Sequence, residues 1–175
     1  MTFTEEHGMT TEGPMTPEAA ALRHFLDVQR TSALAIIDGL TEEQLRTPVL
    51  PSGWTPLGLI EHLGHAERHW FQEVACGTAV DLPWPDEGRP HVFSTSHPAA
   101  EVLAFYREQC ERGNAVLATM PLDAQPVGRH GGWLDAEVTD LRRIALHVLE
   151  ETARHVGHLD AARELLDGRT GLGSR

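Results

Sequence analysis

The sequence has little positive charge and no long apolar run. Its 175 residues include 14 basic and 26 acidic side chains, giving a formal net charge of -12. Nucleic acids and anionic membrane surfaces are bound through basic patches, so this balance argues against both as partners. No apolar stretch approaches the roughly 18 residues that a transmembrane helix needs, and we therefore expect no membrane span.

Cysteine is also scarce. Cys76 and Cys110 lie far apart and outside any CxxC motif, so a disulfide framework is not expected and a reducing compartment is favoured. The N-terminal segment is polar and acidic and lacks the basic and apolar regions of a signal peptide. These features together predict a cytoplasmic protein, in which each cysteine is a packing residue rather than a nucleophile.

Several motifs of common enzymes are missing. The sequence has no Gly-rich phosphate loop and no HExxH, and the GRHGGW segment around His130 is too weak a signal for an oxyanion loop. Histidine, in contrast, occurs 11 times and is concentrated in two stretches, EHLGHAERH and HVLEETARHVGH. Such clusters are the first place to look for metal chemistry.

Helix signals recur along the chain. Thr16-Pro17-Glu18 combines an N-cap, a proline at the first helical position and an acid in the first turn, and Thr55-Pro56 repeats the first two. A third helix is expected to start at Ser96 or His97, and a fourth to run from near Thr139 to Gly168. We predict a flexible arm over residues 1–15, followed over residues 16–171 by an all-α four-helix bundle with long interhelix loops.

The fourth helix carries polar residues in the middle of its apolar stripe. At three-four spacing its inward positions are expected to be Leu141, Ile144, Val148, Glu151, His155, His158, Ala162 and Leu165. Glu151 and His155 are four residues apart, so their side chains lie one above the other and can reach a single ion. A buried carboxylate must be paired or bound to a metal, and an ion pair of Glu151 with a neighbouring residue is the alternative.

The second helix carries three histidines near its apolar stripe. His62 lies at the flank of the stripe, where it is either a third ligand or a boundary residue hydrogen-bonded to the backbone. His65 and His69 are four apart, a spacing compatible with metal, but they lie further from the stripe, and we expect them to be solvated. Trp84 and Trp133, on the two long loops, are expected to anchor those loops, with a lid as the alternative.

Two segments together resemble a known family. GWTPLGLIEHLGHAERHWF and LRRIALHVLEETARHVGHLDAARELLDGRTG are similar to the DinB/YfiT superfamily, and to its actinobacterial branch related to mycothiol-dependent maleylpyruvate isomerase. The resemblance extends from about Thr16 to Gly171. It implies a four-helix bundle, a homodimer, and one divalent metal held by His62, Glu151 and His155. Many relatives have glutamine at the position of His158. We expect His158 to be an outer-sphere residue or an extra ligand.

The resemblance also implies an activity. Relatives use bacillithiol or mycothiol in transfer or isomerisation reactions, which predicts a metal-dependent thiol transferase or isomerase acting on a small molecule, with mycothiol as co-substrate. Zinc is the favoured metal, and nickel and iron suit the same ligands. His158 or His147 would then shuttle protons. Two alternatives stay open: a non-catalytic metal-binding or stress-response dimer, and a scaffold that has lost its metal.

Overall fold

All the regular secondary structure in the described part of the protein is helical. A computed structural model describes residues 15–78 and 93–170, and no strand occurs within those ranges. The helices are α1 (Pro17–Ile37), α2 (Glu42–Leu45), α3 (Pro56–Glu67, continuing as a π-helix over Arg68–Ala75), α4 (Ala99–Thr119), α5 (Leu134–Glu137) and α6 (Leu141–Asp167). None of these helices is both long enough and apolar enough to cross a membrane. The predicted arm lies outside the described residues, except for Met15, which packs against the core.

The helix starts follow from the capping residues. The hydroxyl of Thr16 accepts a hydrogen bond from the Ala19 N–H at the start of α1, and Thr55 caps α3 in the same way. Asp140 caps α6, which ends at Gly168 in the left-handed conformation with φ of 77°. The predicted starts of these three helices and the predicted end of α6 are therefore confirmed to within the scatter expected of helix ends.

The four long helices form a bundle. α1 packs along α6 and α3 packs along α4. Two clusters of buried apolar side chains fill the interior, one around Phe71 and Ile144 and the other around Leu63 and Tyr106. The prediction of an all-α bundle is confirmed.

The inward stripe of α6 differs from the prediction in its last third. Leu165 is 61% exposed and His158 is also exposed, whereas Leu159 is buried. An α-helix completes five turns in about 18 residues, so Leu159 rather than His158 is aligned with Leu141. A three-four count started at Leu141 leaves the core face gradually, and the prediction for Leu165 was wrong for that reason.

The polar face of α3 is covered rather than solvated. Glu61, Arg68 and His69 are all buried, with His69 only 7% exposed. Glu61 accepts a hydrogen bond from the hydroxyl of Thr95, and His69 contacts His130. Both partners lie in segments without helical periodicity, and the expectation of a solvated His69 was wrong because these segments fold over the helix.

A buried ion pair connects three helices. Arg30 of α1 donates from Nε and Nη2 to the two carboxylate oxygens of Glu67 in α3, at 2.7 and 2.6 Å. Nη1 of Arg30 donates to Asn114 of α4 at 2.7 Å. Burial by itself raises the pKa of Glu67, and the Arg30 guanidinium opposes that rise.

Gly113 of α4 makes room for this pair. A Cβ atom at this position would lie 2.9 Å from both Arg30 Nη2 and Glu67 Oε2. The absence of a side chain therefore allows α4 to approach the charged groups closely.

Replacing one partner of the pair is expected to destabilise the fold strongly. Arg30→Met leaves the Glu67 carboxylate buried without its main partner, which should lower the free energy of unfolding by about 3 to 5 kcal/mol. The double variant Arg30→Met/Glu67→Leu should regain most of that loss. Urea denaturation measures both, with Arg112→Met as the control.

Arg112 and Glu108 form an exposed pair on α4, for which we expect a change below about 1 kcal/mol. A loss in Arg30→Met no larger than in this control would contradict the role assigned to the buried pair.

Candidate metal centre

Three side chains from two helices converge on one point. Glu151 and His155 lie four residues apart on α6, and Oε1 of Glu151 is 2.9 Å from Nε2 of His155. The same oxygen lies 3.2 Å from Nε2 of His62, which is on α3. The structure therefore brings together the three residues that the resemblance implied as ligands.

The centre is partly shielded from water. The side chain of His155 is buried, and those of His62 and Glu151 are partly exposed. Hydrogen bonds from His155 and then His62 hold the pKa of the Glu151 carboxyl well below its usual range, and burial opposes this. Glu151 is thus an ionised acceptor at neutral pH, which is the form that binds a cation.

The donor set fits a divalent transition metal. One ligand atom from each of His62, Glu151 and His155 lies within 4.8 Å of the others, and no second such group of three occurs in residues 15–78 and 93–170. Two imidazole nitrogens and one carboxylate oxygen are the protein ligands of many catalytic zinc sites, which keep a further position for water or substrate.

Phe93 contacts two of the three candidate ligands. Its ring stacks on that of His62 with centroids 4.1 Å apart and meets His155 edge-on at 5.5 Å. The backbone carbonyl of Phe93 accepts a hydrogen bond from the Thr55 N–H and lies so close to Gly58 that an added Cβ would be 2.3 Å from it. These contacts fix Phe93 as an apolar wall of the centre. Sequence analysis missed it because residues 93–98 have no periodic pattern.

His158 lies beside the centre rather than within it. Its Nδ1 is 3.3 Å from Nδ1 of His155, on the opposite side of the imidazole from Glu151. His147 lies one helical turn before Glu151, and its ring meets Trp70 edge-on at 4.5 Å.

The remaining aromatic and cysteine predictions have mixed outcomes. Trp133 is 75% exposed, so it does not anchor its loop, and Trp84 lies outside the described residues. Burial raises the pKa of the Cys110 thiol to about 12, in agreement with a packing role. Cys76 is exposed, and partial burial raises its pKa.

His65 is held in an environment that disfavours its charged form. Its ring packs against Phe105 of α4 with centroids 4.8 Å apart. Burial, followed by the charge of Arg68, lowers the pKa of His65 to about 4. His65 was expected to be solvated, and its partial burial beneath α4 shows that prediction to be wrong.

Fold and centre define the class of protein. Inward Glu and His residues on facing helices are the usual construction of a metal site in a helical bundle. Residues 21–168 match the family model described as mycothiol-S-transferase, and the chain belongs to that family. This is a DinB-like family, so the resemblance found in the sequence is confirmed.

One curated relative matches a shorter segment. Over 64 residues the chain is 36% identical to a protein of Geobacillus thermodenitrificans (strain NG80-2) named "Putative metal-dependent hydrolase". The match covers 37% of this chain and 34% of that protein. The chain thus spans about a third of the length of the curated relative that it matches.

The environment of His65 predicts a loss of stability in acid. An unfolded histidine binds a proton near pH 6.5, whereas folded His65 does so only near pH 4, so the free energy of unfolding should fall as the pH drops through that window. Above pH 6.5 the residue contributes nothing to this dependence. His65→Phe keeps an aromatic ring against Phe105 and should reduce the loss between pH 7.5 and pH 5, as measured by urea denaturation.

His24→Phe, at an exposed position of α1, is the control for adding an aromatic ring. Equal pH dependence in the parent and in His65→Phe would show that the titration of His65 does not affect folding.

Proposed function

We propose that this protein is a divalent-metal-dependent S-transferase that uses mycothiol as its thiol co-substrate and acts on a small electrophile in the cytoplasm. The observation that carries the proposal is the shared contact of two imidazoles, from different helices, with one carboxylate oxygen. Membership of the mycothiol-S-transferase family supports the choice of thiol. Zinc is the proposed metal, and nickel or iron would suit the same donors.

The three ligand side chains supply the binding site. His62 and His155 each face Glu151 through Nε2, so these are the nitrogens that would bind the metal. A divalent ion held there would lower the pKa of a thiol and so supply a thiolate nucleophile at neutral pH. In the overall reaction a thiol R–SH and an electrophile A–X give the product R–S–A and H–X. The thiol proton leaves with the displaced group X.

His158 is proposed to orient His155. When Nε2 of a histidine binds a metal, its proton is on Nδ1, and that N–H of His155 then donates to Nδ1 of His158. Such a partner fixes the tautomer and the angle of the ring. Phe93 excludes water from one side of His62. Burial lowers the pKa of His147, so it remains an unprotonated acceptor near pH 7 and suits the proposed role of proton shuttle.

Exposed apolar residues favour a homodimer. Phe25 and Val28 on α1, with Leu146 and Leu165 on α6, are large hydrophobic side chains in contact with solvent. A non-catalytic dimeric metal protein would share this feature. Sedimentation equilibrium should show a dimer in the parent and a shift toward monomer in Phe25→Glu/Leu165→Glu. An entirely monomeric parent would contradict this part of the proposal.

Metal content and thiol transfer test the function in one series. The parent should bind close to one equivalent of zinc, and the zinc-loaded protein should accelerate the reaction of mycothiol with chlorodinitrobenzene. His155→Ala and Glu151→Gln should lose both the metal and the acceleration, because two ligands hold zinc much more weakly than three. His24→Ala, at an exposed position far from these ligands in the sequence, should retain both.

Retention of full metal content in His155→Ala would contradict the ligand assignment. A stoichiometric zinc site without thiol transfer would instead favour the non-catalytic alternative.

A further inference from the structure

A second histidine cluster lies beyond the metal centre. His69, Trp70 and Glu73 are in the π-helical part of α3, and His130 is in the loop between α4 and α5. His69 contacts Glu73 through Nδ1 at 2.7 Å and His130 through Nε2 at 2.9 Å. We call Glu73, His69 and His130 the triad.

The triad has a defined direction of hydrogen bonding. A carboxylate only accepts, so Nδ1 of His69 donates to Glu73. In the tautomer of His69 that has its proton on Nδ1, Nε2 accepts from Nδ1 of His130. The Nε2 atom of His130 therefore carries a lone pair, and within the described ranges it makes no hydrogen bond. Burial lowers the pKa of His130, which agrees with an unprotonated imidazole at neutral pH.

Both ends of the triad are positioned. Arg68 donates to Oε1 of Glu73 at 3.2 Å and leaves Oε2 to His69. The ring of His130 stacks on Trp70 with centroids 4.9 Å apart and an interplanar angle of 17°. An exposed side chain held by a hydrogen bond and a stacked ring loses little further freedom when a ligand binds, and this favours a binding role.

The loop that carries His130 is fixed to the helix. The N–H groups of Val127 and Gly128 donate to the carbonyls of Ala75 and Val74 at 3.2 and 2.9 Å. An added Cβ at Gly128 would be 2.1 Å from the carbonyl oxygen of Glu73, so the loop approaches the helix closely. The loop thus holds His130 against the same helix that supplies His62.

The carboxylate of Asp135 also holds the backbone of the loop that carries His130. Oδ1 of Asp135 accepts from the N–H groups of His130 and Gly131, at 3.0 Å each. Gly131 and Gly132 of the GRHGGW segment both have positive φ, a conformation that glycine adopts without steric cost.

The triad lies further along α3 than His62 of the metal centre. His69 follows His62 by seven residues, which is about 10 Å along a helix axis. On α6, His147 precedes Glu151 by one turn and contacts Trp70, the neighbour of His69. A molecule whose sulfur is at the metal centre would have to extend roughly 10 Å along α3 to come level with His69 and its partner His130.

We propose that Nε2 of His130, oriented by His69 and Glu73, accepts a hydrogen bond from a hydroxyl group at the far end of the thiol co-substrate. This inference rests on the proposed thiol-transferase function. A hydroxyl can donate a hydrogen to the lone pair of a neutral imidazole, whereas an ionised carboxylate or phosphate has no hydrogen to donate. The substrate class is accordingly an extended, polyhydroxylated thiol, as mycothiol is with its glucosaminyl-inositol group.

Comparison of a long and a short thiol tests the proposal. His130→Phe keeps an aromatic ring on Trp70 and removes the acceptor, so the KM for mycothiol should rise about tenfold, the equivalent of one hydrogen bond. The kcat should stay within about twofold. N-acetylcysteine has the thiol end without the sugar groups, and its KM should be the same in the variant and the parent. The zinc content of His130→Phe should match that of the parent. The control His24→Phe should match the parent in its kinetics.

A merely structural role would change the KM for both thiols, or for neither, and either result would overturn the proposal. A ring-¹⁵N spectrum gives a readout without turnover: His130 should carry its proton on Nδ1, and Glu73→Gln should reduce the population of that tautomer. Mycothiol should shift the Nε2 resonance of His130 and N-acetylcysteine should not. If the parent transfers no thiol, the proposed function fails, and the absence or presence of this shift still decides the role of His130.

Discussion

The bidentate pair of Arg30 with Glu67 is the interaction on which the arrangement of the bundle depends. It lies where α1, α3 and α4 approach one another, and Gly113 gives it the necessary space. Glu67 is also the last α-helical residue before the π segment. Because buried charges must keep their partners, the pair allows one relative placement of the three helices. The residues that contact His130 follow directly after Glu67 in the π-helical part of α3.

The candidate site then follows from how α3 and α6 face each other. One carboxylate oxygen receives an imidazole from its own helix and another from the facing helix. This convergence turns two amphipathic helices into a donor set for a metal. Phe93 contacts His62 from one loop segment, and His130 stacks on Trp70 from another, further along α3.

Sequence analysis anticipated the parts of the structure that local chemistry determines. Thr16 and Thr55 begin helices through hydrogen bonds to residues three positions later, and the spacing of Glu151 and His155 depends on one helical turn. The resemblance added His62. The fate of His69 could not be predicted, because its burial depends on an aperiodic loop that returns 61 residues later to contact it. Leu165 was misplaced because a three-four count differs slightly from 3.6 residues per turn. The angular error is small for each turn but large after six turns.

The π-helical segment has a consequence for how this helix tolerates change. The helix is α-helical up to Glu67 and π-helical from Arg68. Successive side chains are therefore separated by different angles around the axis in the two parts. Removing one residue from the wider winding would rotate the downstream side chains and leave His62 where it is. The helix therefore consists of two segments in series, and a change of length in the second would move the partners of His130 relative to the candidate ligand His62.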